Sequence, residues 1–308
     1  MNIRQIIRTL AAIIFLATLS LIATLTGYRE VVIPEMAALT VGFWVQDKQI
    51  WRINGYQTVL LLTTIAIISI LIVRCLPVPV AVQFCLAFAC VSGMLMLFNV
   101  TLSPAFAVGL LPVMLQIVSL SYPLVVLILS VVIVSVQRVM NITGLRRHEE
   151  LRHPMRPTWR NAPRWLWLLI GIMPLMLLSA IVDQRFCLAP PLIVAYVELS
   201  NSKGGFRYRL WQTWLMLVLA ALFGTAARVL LCGHWMLPEP VGVFVAVGLV
   251  FLMFGVMGKR LAPAASMSII PFVVPTDVAP LMPLLAAIGA SYLIVVARIF
   301  FIGRESAE

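Results

Sequence analysis

Charge is the scarcest property of this sequence. Its 308 residues include 22 Lys or Arg and 11 Asp or Glu, which is 11% of the chain, against about 25% in an ordinary soluble domain. Nine of these charges lie between Arg138 and Arg164, so the rest of the chain is nearly uncharged. A soluble globule needs more charge on its surface than this. A disordered chain is excluded as well, because it would lack the hydrophobic residues that make up 62% of the sequence.

Residues that carry catalysis or bind metals are also few. The three histidines are His148, His153 and His234, and the three aspartates are Asp47, Asp183 and Asp277. The five cysteines form no Cys-x-x-Cys pair, and no Walker, Gly-x-Ser-x-Gly, His-Glu-x-x-His or Gly-x-Gly-x-x-Gly motif occurs. Nucleophilic and metal-dependent chemistry need such groups close together. We therefore predict that the protein is not an enzyme and has no cofactor and no metal site.

Long apolar runs fill the space between the few charges. The mean hydropathy is +1.07, and the runs have 14 to 23 residues without the alternation that is typical of a β-barrel strand. They indicate an all-α polytopic membrane protein, whose first run we interpret as a retained helix rather than a removed signal peptide. The candidate spans are 9–26, 31–46, 57–73, 80–98, 101–115, 118–137, 165–182, 187–200, 211–230, 240–257, 262–275 and 279–301.

The two halves of the chain resemble each other in the order of their marker residues. Arg29 and Pro34 match Arg185 and Pro190 at an offset of 156 residues. Further matches, at offsets from 155 to 160, are Gln57 and Gln212, Thr58 and Thr213, Leu102 and Leu261, Pro104 and Pro263, Pro112 and Pro271, Pro123 and Pro283, and Arg138 and Arg298. Because the matches keep the same order over more than a hundred residues, they predict an internal duplication.

The predicted duplication divides the chain into three parts. These are a six-helix repeat over 1–137, a basic cytoplasmic linker over 138–164 and a second six-helix repeat over 165–308. If all twelve segments cross the bilayer, 18 of the 22 basic residues lie in the cytoplasm, whereas eight crossings give a split of 13 to 9. The positive-inside rule favours twelve helices in two parallel repeats, a pseudo-dimer with both termini in the cytoplasm. This rule also accounts for the net charge of +11, so no nucleic-acid partner is predicted.

The second and fifth segments of each half are short and contain prolines. Their 14 to 16 residues reach about 21–24 Å as a helix, less than the ~30 Å hydrocarbon core. Short, proline-interrupted segments at matching positions indicate a transport site, and close packing of helices is the alternative explanation. The candidate substrate-path residues are Arg29, Pro34, Glu35, Thr40, Ser103, Pro104, Arg185, Pro190, Pro191, Tyr196, Glu198, Pro263, Ser266 and Ser268.

Four ionisable residues among these candidates suggest what the path carries. Glu35 and Glu198 lie in the short second segments, where a carboxylate is costly and is a functional candidate by default. Solvation at the membrane interface is the alternative, because both are near predicted helix ends. Arg29 and Arg185 precede the same segments on the predicted outer side, where helix N-termini also carry partial positive charge. Together they predict an outer vestibule that attracts an anion.

Tryptophans lie near the predicted ends of the apolar segments. Such positions are typical of the aromatic belt at the two membrane interfaces. The residues assigned to this belt are Trp44, Trp51, Trp165, Trp167, Trp211, Trp214 and Trp235.

The short segments also carry a family resemblance. The sequences CLAPPLIVAYVELSNSKGGFRYRLWQTW and GKRLAPAASMSIIPFVV resemble the HPP family of integral membrane proteins. The family's His-Pro-Pro element corresponds here to the stretch from Leu261 to Ala265, which reads Leu-Ala-Pro-Ala-Ala, and to Leu-Ser-Pro-Ala-Phe from Leu102 to Phe106. The layout is similar to that of fusaric-acid-resistance proteins, aromatic-acid exporters and plant malate channels. The resemblance implies paired six-helix units with the second and fifth helices near the pathway.

These observations predict a transporter or channel for a small anionic solute, an inorganic anion or an organic acid, with a path between the two repeats. Two alternatives stay open. The protein is a membrane subunit that needs a partner protein, or an intramembrane enzyme that acts on lipid. The predicted partners are the lipid bilayer and the solute, and the sequence leaves open whether the chain forms a homo-oligomer.

Overall fold

A computed structural model describes residues 3–146, 162–181, 185–201 and 209–302. These residues form twelve α-helices and no strand, with one helix in each of the twelve predicted segments. The helices are α1 (Ile3–Thr26), α2 (Glu35–Thr40), α3 (Gly55–Cys75), α4 (Val80–Phe98), α5 (Pro104–Leu115), α6 (Ser121–Ile142), α7 (Ala162–Ile181), α8 (Pro190–Leu199), α9 (Leu210–Ala226), α10 (Glu239–Met257), α11 (Ala262–Val273) and α12 (Met282–Ala297).

Several helices are extended or preceded by turns of different pitch. Wider π-type turns continue α2 over Val41–Val45, α9 over Ala227–His234 and α12 over Arg298–Ile302. The tighter 3₁₀ turns Arg29–Val31 and Arg185–Leu188 precede the short helices α2 and α8. A 3₁₀ turn precedes each of the short helices α2 and α8, and a π-type turn follows α2, so these short segments are irregular at their ends.

Within the described ranges, seven helical segments are long and apolar enough to cross a membrane. The shorter apolar helices include Glu35–Val45, Pro104–Leu115, Pro190–Leu199 and Ala262–Val273, the second and fifth segments of each half. On the long helices, large aliphatic side chains are exposed, such as Val256 at 89%, as lipid-facing helices require. The protein is therefore an all-helical, polytopic membrane protein.

Prolines and polar caps mark where helices begin. Pro104, Pro190 and Pro263 lie in the first turn of α5, α8 and α11, where the missing N–H has no partner to lose. Asn54 and Gln57 form a reciprocal capping box at the start of α3, which satisfies two of the free N–H groups there. These signals are local, and for this reason the helix starts were predictable to within a few residues.

The helices belong to two units, each of which contains residues from both predicted repeats. The first unit comprises Met1–Ile50, Ile128–Glu150 and Leu215–Leu284. Within this unit α1 packs against α10, α2 packs against α11, and α10 packs against α11. The second segment of the first half therefore lies beside the fifth segment of the second half.

The second unit comprises Trp51–Leu127, Leu151–Trp214 and Leu285–Glu308. In this unit α4 packs against α7, α5 packs against α8, and α3 packs against both α4 and α5. The pairing of α5 with α8 again joins a fifth segment of one half to a second segment of the other. Each unit thus contains the same kind of crossing between two short helices.

Small residues allow close approach to the short helices in both units. In the second unit Ser69 of α3 donates a 2.7 Å hydrogen bond to the carbonyl of Gly109 in α5. In the first unit a Cβ added at Gly224 of α9 would lie 2.1 Å from the carbonyl oxygen of Ser268 in α11. Positions 69 and 224, and 109 and 268, differ by the offsets of 155 and 159 found in the sequence. In the second unit the serine lies on α3 and the glycine on α5, whereas in the first unit the glycine lies on α9 and the serine on α11.

The predicted linker lies mostly outside the described residues. Helix α6 continues to Ile142, so it includes the first five residues of the predicted linker, and α7 begins at Ala162. Residues 147–161, which hold most of the linker's charges, are not among those described.

Candidate functional site

The crossing of α2 and α11 in the first unit is built from backbone and hydroxyl contacts. The N–H of Ala38 donates a 3.1 Å hydrogen bond to Oγ of Ser266. At the other end of the pair, Gln46 Nε2 donates to the carbonyl of Arg260 at 2.9 Å. The Arg260 guanidinium donates to the carbonyl of Val45 at 2.8 Å. The end of the α2 segment therefore lies beside the start of α11, and the two helices run antiparallel.

Glu35 begins α2, directly after Pro34, and is completely buried. Neither of its carboxylate oxygens accepts a hydrogen bond from another residue in the part of the chain that the structure describes. Solvation at the membrane interface, one of the two explanations for this residue, is therefore wrong in this conformation. Burying an ionised carboxylate without a partner costs several kcal/mol or more, so Glu35 is the most unusual polar group of this crossing.

The hydroxyl groups around Glu35 are bonded within the protein. Thr40 donates to the carbonyl of Ala37 at 2.9 Å, and Ser268 donates to the carbonyl of Ala265 at 2.8 Å. The oxygen of Ser266 accepts the bond from α2 described above. These three candidates are buried, and in this conformation their hydroxyl groups take part in hydrogen bonds within or between helices.

Three arginines converge on the end of the α2 segment. Arg8 of α1 donates to the carbonyl of Gln46 and forms an ion pair with Asp47. Arg146 donates to the same carbonyl at 3.2 Å, and Arg260 lies 3.6 Å from the Asp47 carboxylate. Positive groups at a helix C-terminus are favourable because the last carbonyls carry partial negative charge. We call Arg8, Asp47, Arg146 and Arg260 the arginine clamp.

The clamp sets the protonation of its one acidic member. Burial alone would raise the pKa of Asp47, but the hydrogen bond and charge of Arg8, together with Arg260, lower this pKa overall. The same surroundings lower the pKa of Arg260, chiefly because its guanidinium is partly desolvated. In the sequence, these basic residues indicated only the orientation of the protein in the membrane. The clamp was not predicted, because its members are far apart in the chain.

In the second unit, an arginine at the matching sequence position bonds the end of α8, the short helix that crosses α5. Arg164 of α7 donates to Oγ of Ser200 at 2.8 Å and to the carbonyl of Val197 at 3.1 Å. Arg8 and Arg164 occupy matching sequence positions at the offset of 156. Each secures the end of a short second segment to the first helix of its own half. The neighbouring candidates Ser103, Pro104, Pro190 and Pro191 are buried in this crossing.

Tyr196 and Glu198 are the polar candidates of α8. The Tyr196 hydroxyl is buried without a hydrogen-bond partner in the described chain, and a Cβ added at Gly171 would lie 2.3 Å from it. Trp51 donates a hydrogen bond to the Glu198 carboxylate, while one oxygen of this carboxylate is buried without a partner. Glu198 is therefore more nearly satisfied than Glu35.

Three of the seven tryptophans assigned to the interfacial belt contradict that prediction, because Trp44, Trp51 and Trp165 are buried. Trp44 is 1% exposed and donates to the carbonyl of Ile133 at 2.9 Å, and Trp51 is 3% exposed beside Glu198. Both side chains are buried in protein, where the indole N–H requires an acceptor. Trp211 and Trp235, at 67% and 64% exposed, have the exposure that the prediction requires. The distance of a tryptophan from a helix end therefore does not distinguish a buried side chain from an exposed one.

A proline in α5 leaves a backbone carbonyl for another helix to satisfy. Pro112 has no N–H, so the carbonyl of Val108 one turn earlier lacks its usual helical donor. The hydroxyl of Tyr122 donates a 2.9 Å hydrogen bond to this oxygen, and both groups are buried. The Tyr122 hydroxyl of α6 thus replaces the helical donor that Pro112 lacks. Such a replacement is needed because a backbone carbonyl in a membrane interior has no water to bond.

The arginines on the predicted outer side have different environments. Arg228 is buried and donates to the carbonyls of Pro271 and Val274 at the end of α11, the second at 2.7 Å. The backbone of Arg29 and Arg185 lies in the two 3₁₀ turns, and their side chains are outside the described part of the structure. The predicted anion vestibule therefore stays a prediction.

A cavity of about 320 Å³ lies in the first unit. Its lining is mostly apolar and comes from the end of α1, the start of α10 and the end of α11. The lining residues are Ala23, Thr24, Gly27, Val32, Glu239, Phe272 and Val273. Val32 precedes Glu35 by three residues, so the cavity adjoins the turn that leads into α2.

The structure divides the candidate residues between the two crossings. Pro34, Glu35, Thr40, Pro263, Ser266 and Ser268 belong to the α2–α11 crossing, and Ser103, Pro104, Pro190, Pro191, Tyr196 and Glu198 belong to the α5–α8 crossing. Sequence position alone had grouped the candidates by half.

Comparison of the chain with protein-family models, with curated proteins and with solved structures finds no match.

Proposed function

We propose that the protein transports a small solute across the cell membrane along a path that follows the crossings of its short helices. The observation that carries the proposal is a set of buried polar atoms there that have no hydrogen-bond partner among the described residues: both oxygens of Glu35, the Tyr196 hydroxyl and one oxygen of Glu198. In a membrane interior such groups are expensive and mark substrate or ion pathways. Short helices interrupted by proline occur at such pathways because their backbone is less regular.

The two crossings support a duplicated transporter with twelve membrane passages, two parallel repeats and cytoplasmic termini. Arg8 and Arg164 secure matching segments, and the serine–glycine approaches at Ser69 and Gly224 occupy matching positions. A duplicated arrangement of this kind is common among secondary transporters, where repeats related by an axis along the membrane normal move against each other. Because the polar candidates are buried, the conformation described is closed to the solute at both crossings.

The solute in this proposal is an anion, an inorganic ion or a weak organic acid. Arg29 and Arg185, next to the N-terminal ends of the segments that hold α2 and α8, are the residues we expect to attract it. The resemblance to anion-transporting membrane families points to the same class of solute.

Flux measured in proteoliposomes tests the proposal. Purified protein is reconstituted and supplied with a panel of labelled inorganic anions and weak organic acids, with and without a pH gradient. We expect flux of at least one of them above that of protein-free liposomes. No flux of any solute, together with a partner protein that copurifies in stoichiometric amount, would instead favour the membrane-subunit alternative.

Charge reversal tests the anion assignment. The double variant Arg29→Glu and Arg185→Glu is expected to lower uptake of the transported anion. Arg74→Glu is the matched control, because Arg74 is also a predicted outer arginine but is exposed at the end of α3. Equal flux in the wild type and the double variant would contradict the anion assignment while leaving transport itself intact.

A further inference from the structure

We infer that Glu35 is a proton-binding site and that it couples the proposed transport to a proton gradient. The inference rests on the proposed function and adds the identity of the coupling ion. It starts from the position of Glu35 at the first turn of α2, where its side chain is completely buried and neither oxygen accepts a bond from another described residue.

A carboxyl group in this position is stable only in its neutral form. An ionised carboxylate would need a cation or several hydrogen-bond donors to offset its lost hydration, and no described residue provides either to Glu35. In the closed conformation Glu35 therefore holds a proton. The proton leaves as hydronium when the start of α2 becomes open to water, and the carboxylate must take up another before the crossing closes again.

The charged groups of the packed elements lie toward the two ends of α2. Helix α11 and the part of α1 from Thr9 to Thr26 contain no ionisable residue. The ionisable residues on or beside the described elements around α2 are Tyr28, Arg29 and Glu30 before it, Arg4 at the start of α1, Arg228, Cys232, His234 and Glu239 near the far ends of α9 and α10, Arg138 in α6, Lys48 and Lys259 beside the arginine clamp, and Arg8, Asp47, Arg146 and Arg260 in the clamp. Arg228 bonds α11 carbonyls, and the clamp is at the opposite end of α2.

A proton fits this site better than a metal ion. A bound metal ion needs several ligands around it, and the described residues contain no group of three or more His, Cys, Asp or Glu side chains that could hold one. A proton needs no ligand beyond the carboxylate that it neutralises.

Among the described residues of the second unit, no carboxylate occupies the position that matches Glu35. At the sequence offsets of the repeat, Glu35 corresponds to Pro191 and Ser266 corresponds to Ala107, and both are apolar. Glu198 corresponds to Gly42 instead, lies near the end of its helix and accepts a bond from Trp51. The asymmetry predicts one proton per transport cycle rather than two.

Infrared difference spectroscopy tests proton binding without a known solute. The reconstituted wild-type protein is titrated with acid and base, and the C=O stretch of protonated carboxyl groups is followed. We expect a band that Glu35→Gln removes and that Glu198→Gln leaves in place. A band that persists in Glu35→Gln, or no band in the wild type across the whole titration, would overturn the inference.

Flux measurements separate the failure of this inference from the failure of the proposed function. For a solute that the wild type accumulates in response to a pH gradient, Glu35→Gln is expected to abolish accumulation but to retain exchange of labelled for unlabelled solute. Glu35→Asp, which keeps the carboxyl group, is expected to restore part of the accumulation. Accumulation that survives in Glu35→Gln, or that follows a sodium gradient instead, overturns the coupling role. Absence of any wild-type flux contradicts the transport proposal itself, and the infrared result then still decides whether Glu35 binds a proton.

Discussion

The backbone N–H of Ala38 donates a 3.1 Å hydrogen bond to Oγ of Ser266, a residue 228 positions further along the chain. Both residues are buried, and the bond joins two short helices that belong to different halves of the sequence. It ties the backbone of α2 to a side chain of α11 within the buried interior of the first unit. The proposed solute path depends on this pairing of helices.

Removing the Ser266 hydroxyl is therefore expected to destabilise the protein more than removing that of Ser268. Ser266→Ala removes the hydrogen bond between α2 and α11, which costs about 0.5–1.5 kcal/mol. Ser268→Ala is the matched control, since Ser268 is equally buried on the same helix but only donates to a carbonyl within α11. Unfolding in mixed detergent micelles measures both variants, and equal losses would contradict the assigned role of Ser266.

A double-mutant cycle tests the compensation between Pro112 and Tyr122. Tyr122→Phe leaves the Val108 carbonyl without its donor and is expected to cost about 1–2 kcal/mol in the wild-type background. In Pro112→Ala the alanine N–H supplies the missing helical bond, so the same change is expected to cost less. The coupling free energy from the four unfolding measurements is the readout, and a value near zero would show that the hydroxyl and the proline act independently.

The close approach at Gly224 predicts a strong dependence on side-chain size. Gly224→Ala places a Cβ against the backbone carbonyl of Ser268, which cannot move aside as a side chain would, and is expected to cost about 1–3 kcal/mol. The control is Gly248→Ala in α10, where an added Cβ meets nothing within 4 Å. That variant is expected to be neutral or slightly stabilising, because alanine is the better helix former. Similar unfolding curves for both variants would contradict the close packing of α9 on α11.

The arginine clamp predicts a contribution to stability that depends on pH. The folded protein lowers the pKa of Asp47, so the stabilisation is present above the unfolded value of about 3.9 and is lost as the pH falls through the lower folded value. Asp47→Asn is therefore expected to lower the unfolding temperature at neutral pH, and the difference from wild type is expected to shrink in acid. The effect is small because the Asp47 side chain is 63% exposed.

An exposed aspartate elsewhere is the control for this pH dependence. Asp277 lies outside the helices and is exposed, so Asp277→Asn is expected to follow the wild type throughout the titration. A difference between Asp47→Asn and wild type that stays constant from neutral to acid pH would show that the carboxylate charge does not act in the clamp.

Some features of the structure were predictable because their causes are local. The starts of α5, α8 and α11 follow from prolines in the first turn, and the long helices follow from apolar runs. The burial of Trp44 and Trp51 was not predictable in this way. The local sequence around a tryptophan near a helix end is the same whether a lipid interface or another helix covers the side chain. The unpaired state of Glu35 was equally hidden, since it depends on which helices surround α2.

The sequence by itself determined that this is an all-helical membrane protein, where its twelve helices lie and which of them are short. These properties depend on hydropathy and on the backbone effects of proline within about one helix length. Only the tertiary structure decided that α2 pairs with α11 and α5 with α8. It also decided that no other described residue bonds the Glu35 carboxylate, whereas Arg8 bonds both Gln46 and Asp47. The choice of a neighbour depends on the fit of whole helix surfaces that are distant in the chain, and no local pattern of residues contains that information.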